Sequence, residues 1–362
     1  MAEKSPNSLV VGLAFFSMFF GSGNLIFPLM LGAQYQSLFL ICAAGFVITA
    51  VLLPTLGILA MMPAHGRYEK LFSDFLPNDL SRWLILAILL FWIPLGSGPR
   101  CVVLAHASIQ TYFPYTIPVW LFALLFLAVV YFCVVSRNQV INILGKFLTP
   151  LLLISIAAIV VTSCIHGEIE TSDKEPFKVF FESVIDGYYT QDLIAAVFFS
   201  SALVSMLKAC GSNQAECMKK TWQGGLIAVV LLTILYAALM ASSAIHAQSL
   251  HNLSGEKLVS TLAHIALGKT FGSISSIAVS LACLTTEIAL VIVFADFLNH
   301  HFFRRHNTKH AILVTLTIIW FMAQLQFGGI MAVVAPAMKI IYPLLFLLVI
   351  RYLWRQRNAL FE

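Results

Sequence analysis

Apolar runs of membrane-spanning length follow one another along almost the whole chain, and the polar stretches between them are too short to fold on their own. A helix needs about 20 residues to cross the hydrocarbon of a bilayer. Ten such runs can be drawn: 8 to 33, 37 to 62, 83 to 113, 117 to 135, 140 to 165, 177 to 207, 223 to 247, 270 to 300, 310 to 326 and 328 to 353. Of 362 residues, 60% are hydrophobic and 10% charged. A water-soluble domain carries roughly a quarter charged residues, so a soluble globular fold is excluded. The runs have helical length and do not alternate, which argues against a β-barrel. The expected fold class is an all-α polytopic membrane protein. No processed signal peptide is expected, because the first run is too long for one and carries Gly, Asn and Pro in its middle.

The charges report topology. Lys and Arg are strung out between the runs, so a net charge of +5 gives no argument for nucleic acid. Fifteen of the 21 fall on the side that holds the N-terminus, four on the other, and Arg100 and Lys339 lie at mid-depth. That bias predicts a multi-pass protein of the cell membrane with both termini cytoplasmic. The seven cysteines lack CxxC spacing, the ten histidines lack ligand spacing, and no GxxxxGK[ST] is present. Neither a resident metal, a disulfide framework nor ATP-driven transport has support, and an enzyme is not expected.

Two runs are interrupted. The first reads Phe20-Gly21-Ser22-Gly23-Asn24-Leu25-Ile26-Phe27-Pro28, and two glycines followed by a proline disfavour a continuous helix. The sixth carries Asp186-Gly187-Tyr188-Tyr189-Thr190-Gln191-Asp192 between apolar halves. Glycine and proline also serve simple helix packing in membranes. Two breaks five spans apart, in halves that start on opposite sides of the bilayer, point instead to an inverted-repeat secondary transporter. The halves would be 1–165 and 166–353, with 354–362 a short cytoplasmic tail. Backbone groups bared at mid-membrane cost several kcal/mol each unless satisfied. A zwitterion and a cation could satisfy them: N–H groups of Gly21, Ser22 and Gly23 receive a carboxylate, and carbonyls ending the preceding half-helix ligate a hard cation. A channel lined by the glycines is the alternative reading.

With these motifs the chain resembles the branched-chain amino acid:cation symporter family (BrnQ-like), within the transporters of the LeuT fold. Further markers are Pro99-Arg100, Gly145-Lys146-Phe147-Leu148-Thr149-Pro150 and Cys283-Leu284-Thr285-Thr286. Members usually have about twelve spans, so the chain looks short at its C-terminus, with the ten-helix core expected to be intact. The resemblance implies a 5+5 inverted repeat with broken helices one and six, and symport of leucine, isoleucine and valine, with methionine as a further candidate. Sodium is the implied coupling ion and a proton the alternative. Substrate would be held by Gly21, Ser22, Gly23 and Asn24 with Gly187, Tyr188, Tyr189 and Thr190. Sodium would be held by the carbonyls of Ser17, Phe20 and Ala282 and the hydroxyls of Thr285 and Thr286. Oxygen ligands suit such a hard cation, although isolated threonines in membrane helices usually bond back to the preceding turn.

Ionisable groups at depth need partners, since each costs at least about 2.5 to 3.5 kcal/mol at a span's centre. Arg100, Glu287 and Lys339 qualify, and the expectation is that Glu287 neutralises Arg100 or Lys339, fixing packing or forming a gate. Asp192 either caps the second half of span six or binds ligand. Lys146 could replace sodium in a proton-coupled carrier if it reached the gap between spans one and eight. Its position at a span's end favours snorkelling.

Overall fold

The computed structural model describes residues 7–135, 152–163, 169–209, 213–303 and 308–357, and the regular elements among them are helical. Span one is two helices, α1 (Ser8–Phe19) and α2 (Ser22–Tyr35). Span two is α3 (Phe39–Val47), a π-helical segment Ile48–Leu52, and α4 (Leu53–Met61). After a short α5 (Tyr68–Ser73), span three is α6 (Asn78–Trp92), a second π segment Ile93–Ser97, and α7 (Gly98–Gln110). Then follow α8 (Val119–Val135) and α9 (Leu152–Ser163). Span six is α10 (Pro176–Asp186), a 3-10 turn Gly187–Thr190, and α11 (Asp192–Ala209). The remainder is α12 (Gln214–Ile245), α13 (Ala247–Leu250), α14 (Gly255–His301), α15 (Thr308–Ala323) and α16 (Gln326–Arg355).

Local chemistry accounts for several of these boundaries. Asn7 caps α1 by accepting from the Val10 N–H at 2.9 Å, and Asn213 caps α12 by accepting from the Glu216 N–H at 2.8 Å. Along α1, Phe15 stacks on Phe19 and Phe16 on Phe20, at 5.5 and 5.2 Å, the i,i+4 spacing of one helical face. Proline 94 lies in the second π segment, which closes with the Gly98 N–H on the Ile93 carbonyl. Pro28, by contrast, is carried inside α2 without ending it. The sequence places span eight at 270–300, but the helix starts at Gly255 and bends at Gly268, whose φ of 71° suits glycine.

Among the described residues, five stretches are long and apolar enough to cross a membrane: Ser22–Met61, Asn78–Gln110, Ala215–Ile245, Gly255–His301 and Gln326–Arg355. Large apolar side chains such as Phe132, Ile234, Phe321 and Leu347 are exposed on the outside of the bundle, as a lipid-facing surface requires. Inside, α1 and α2 pack along α12, α11 along α4, α10 along α3, and α14 along α7. The α2–α12 approach depends on Gly32. A Cβ there would overlap the Met240 carbonyl and the Ser243 hydroxyl, both on α12. Close approach at small residues is a main source of helix association in lipid, and overpacking costs about 1–3 kcal/mol or more. Gly32→Ala is therefore expected to lower the melting temperature of the detergent-purified protein by several degrees; an unchanged transition would remove this contact from the account.

Candidate substrate and ion site

At the span-one break Phe20 has φ −76° and ψ 78°, and the Gly21 N–H turns back to the Phe19 carbonyl at 2.8 Å. This is an inverse γ-turn. The Ser17 carbonyl thereby loses the Gly21 N–H that a continuing helix would have supplied. On the other side α2 opens at Gly21 with no side-chain cap, so its first N–H groups and the positive end of its dipole face outward. Neither Gly21 nor Gly23 has positive φ, and close approach bears on Gly23 alone. A Cβ on Gly23 would lie 3.3 Å from Thr190 Cα and 3.5 Å from Arg100 Nη1, and one on Gly21 would lie 3.7 Å from Thr286 Cγ2. Spans six, three and eight all close on this turn.

The second break is built differently. Gln191 takes the left-handed conformation at φ 67° before α11 starts. Its N-terminus is already served by protein: the Leu193 N–H donates to the Tyr342 hydroxyl at 3.3 Å and the Asp192 N–H to the Thr190 hydroxyl at 3.4 Å. Tyr342 in turn donates to the Thr49 carbonyl in the first π segment at 2.7 Å. Of the two half-helix N-termini, the one on α2 has no side-chain cap among the described residues.

Between the breaks lies a cavity of about 20 Å³. That holds about one water, so an amino acid enters only if the surrounding helices move apart. Its polar side is Gly21, Ser22, Gly23, Asn24, Thr190, Asp192 and Thr286; its apolar side includes Trp92, Ala195, Phe199 and Leu290. Five of the eight residues expected to hold substrate are thus brought together, with Asp192 and Thr286 beside them. Gly187, Tyr188 and Tyr189 lie outside the lining. Gly187 abuts Thr49, Tyr188 stacks on Tyr342 at 4.7 Å, and Tyr189 meets Phe27 at 5.9 Å. These three hold the break in place, because a 3-10 turn points successive side chains around its axis rather than to one face. Trp92 and Ser97, at the two edges of the IPLGS π segment, also line the cavity. The two prolines of Ile93-Pro94-Leu95-Gly96-Ser97-Gly98-Pro99 were the signal for that irregularity, and the sequence reading took only Pro99-Arg100 from it.

Of three buried charged side chains in this region, Asp192, Arg100 and Glu287, only Asp192 lines the cavity. Asp192 accepts from Asn24 Nδ2 at both oxygens, at 3.0 and 2.8 Å, and from the Tyr236 hydroxyl at 3.2 Å, while the Asn24 amide also bonds Tyr236. Its side chain ties spans one, six and seven instead of capping its own helix. Arg100, 1% exposed, donates from Nη1 to the Tyr189 carbonyl at 2.7 Å and from Nη2 to the Ser97 hydroxyl at 3.0 Å and to Gln191 Oε1. Ser97 also donates to Gln191 Oε1, at 2.8 Å. Glu287 is fully buried, and neither oxygen has a hydrogen-bond partner among the described residues.

The expected pairing of Glu287 with Arg100 or Lys339 is therefore corrected. Arg100 reaches across to the span-six turn, drawn by the Tyr189 carbonyl and Gln191, whereas Glu287 faces Gly98, with Oε1 3.1 Å from where a Gly98 Cβ would be. Lys339 is exposed on α16. Ion pairs among the described residues are peripheral, such as Arg82–Asp79 and Lys220–Glu216.

For the cation, Thr286 borders the span-one turn and its hydroxyl has no protein partner among the described residues. Thr285 donates to the Ala282 carbonyl at 2.9 Å, the local bond expected of a helical threonine, with lone pairs on both oxygens left over. Ser17 and Phe20 supply carbonyls at the end of α1, the Ser17 side chain lying outside the described residues. Lys146 and the Gly145–Pro150 motif also lie outside them.

Over residues 4–360 the chain matches the family described as branched-chain amino acid transport protein. It is 29% identical over 361 residues to a protein of Staphylococcus saprophyticus named as a branched-chain amino acid carrier, covering 94% of this chain and 80% of the relative. A relative of the same name in Staphylococcus haemolyticus is 28% identical over 361 residues with the same coverage. Among solved structures, the inward-facing conformation of Mhp1 superposes with a TM-score of 0.71 at 16% identity, over 99% of this chain and 78% of Mhp1. MhsT in complex with L-phenylalanine gives 0.68 at 17% identity, over 96% and 89%. At such identity the likeness is one of fold, that of the LeuT-like transporters.

Proposed function

Because the chain belongs to the branched-chain amino acid transport protein family, we propose that it imports leucine, isoleucine and valine together with sodium by alternating access, in the cell membrane with both termini cytoplasmic. Membership makes it an amino acid transporter and not an enzyme. The observation that supports the finer reading is the open N-terminus of α2, set beside an apolar wall of Trp92, Phe199 and Leu290. A carboxylate is favoured at such a terminus by the unpaired N–H groups and the dipole. An aliphatic side chain then falls against the wall, and its burial contributes about 25 cal/mol per Å² of apolar surface. In this reading sodium would be held by the hydroxyls of Thr285 and Thr286 and the carbonyls of Ser17, Phe20 and Ala282, where it would neutralise the bared end of α1.

The cavity's size gives the mechanism its form. Space for about one water means that the state described here is contracted. Substrate and ion together offset the cost of opening the two breaks, and spans one, two, six and seven rock against spans three, four, eight and nine. A zwitterion moving with one sodium carries one net charge. At about 2.3 kcal/mol per 100 mV this supports roughly fifty-fold accumulation before the sodium gradient is counted.

The test is uptake of labelled leucine, isoleucine, valine and methionine into proteoliposomes under imposed sodium or proton gradients. Saturable, sodium-dependent counterflow of the three branched substrates is expected. Uptake driven by a proton gradient alone would replace sodium with a proton in this scheme, and unsaturable flux would return the chain to a channel.

A further inference from the structure

We propose that the Asp192 carboxylate is the counter-charge for the substrate's α-ammonium, so that the site selects zwitterions over carboxylates by a buried fixed charge. This rests on the amino acid transport read above and names the group that recognises the amine. Asp192 is 2% exposed and borders the cavity together with Ser22, Asn24 and Thr190. A carboxylate in that position needs a compensating positive charge, and its protein donors are neutral: the Asn24 amide and the Tyr236 hydroxyl. The guanidinium of Arg100 acts on Asp192 only through space, its hydrogen bonds going to the Tyr189 carbonyl, Ser97 and Gln191. The Asn24 amide spans both oxygens of the carboxylate, the place an ammonium would take.

The rest of the arrangement gives the zwitterion a direction. Arg100 lies against Gly23, 3.5 Å from where a Cβ would be, so its positive charge adds to the N-terminal end of α2. Asp192 bonds Asn24, the next residue, about 100° further around the same helix. A carboxylate therefore meets positive potential at Ser22 and Gly23, and an ammonium meets the negative group one residue on. The buried carboxyls of Glu256 and Glu287 do not border the cavity.

The experiment compares leucine with 4-methylpentanoate, the same skeleton without the amine, by competition binding to the purified full-length wild type and to Asp192→Asn. In the wild type leucine is expected to bind at least 100-fold more tightly than 4-methylpentanoate. In D192N leucine should weaken by tenfold or more while 4-methylpentanoate holds or tightens, because the repelling charge is gone. A purely structural tie would weaken both equally, so an unchanged ratio overturns the proposal. Should D192N fail to fold, the wild type decides: 4-methylpentanoate competing as well as leucine overturns it, and a 100-fold gap together with retained leucine binding in Asp192→Glu supports it. A wild type that binds no branched-chain amino acid overturns the functional reading and this inference with it; binding by the wild type with an unchanged D192N ratio overturns this inference alone.

Discussion

Thr286→Ala is expected to raise the sodium concentration for half-maximal leucine uptake by tenfold or more, about 1.4 kcal/mol of lost ion binding, with protein abundance unchanged. The hydroxyl borders the span-one turn and has no protein partner among the described residues, so its removal leaves no donor or acceptor stranded. Thr285→Ala is the internal control. Its hydroxyl is tied to the Ala282 carbonyl, so a smaller loss is expected there. Saturating sodium should restore uptake by T286A. If the sodium dependence of T286A matches that of the wild type, the proposed cation site is wrong.

Gly187→Ala is expected to cut maximal uptake by at least tenfold and to lower thermal stability. A Cβ at this position would overlap the Thr49 hydroxyl and stand 3.0 Å from the Phe46 carbonyl. The hydroxyl cannot simply turn away, because it donates to the Val184 carbonyl at 2.7 Å, and the Thr49 carbonyl accepts from Tyr342. The turn of span six would have to shift off the π segment of span two, carrying Thr190 and Asp192 with it. Overpacking of this kind costs about 1–3 kcal/mol. Gly187→Ala with Thr49→Ala should recover part of both losses, since the overlapping oxygen is then absent. Wild-type uptake and melting temperature in the single variant would show that the contact is dispensable.

Much of the architecture was readable along the chain. Membrane-length apolar runs with sparse charge admit only helices in a bilayer, because a lipid-exposed backbone must satisfy its own hydrogen bonds. The Gly21-Ser22-Gly23 interruption marked the turn at Phe20–Gly21, and five of the residues it and span six nominated do border one cavity. The glycines do stand at the break, with ordinary φ angles, and at Gly23 the absence of a side chain leaves room for Thr190 and Arg100. Helix 255–301 was underestimated because residues 255–269 carry enough polar side chains to read as loop.

Partner choice among buried groups was not legible. Arg100, Asp192 and Glu287 are each conspicuous as charges in apolar runs, yet nothing in their spacing says that Arg100 reaches the Tyr189 carbonyl, that Asp192 meets Asn24 and Tyr236, or that Glu287 has no hydrogen-bond partner among the described residues. Tyr236 and Tyr342 looked like two more aromatics in apolar helices, and became ties between spans only when those helices were packed. The physical reason is range. Hydrophobicity, glycine and proline act within a few residues and set where helices run and where they break, so the sequence alone determined a broken-helix membrane bundle. Which side chain satisfies a buried charge depends on ångström-scale approach between helices far apart in the chain, and that was decided by tertiary packing.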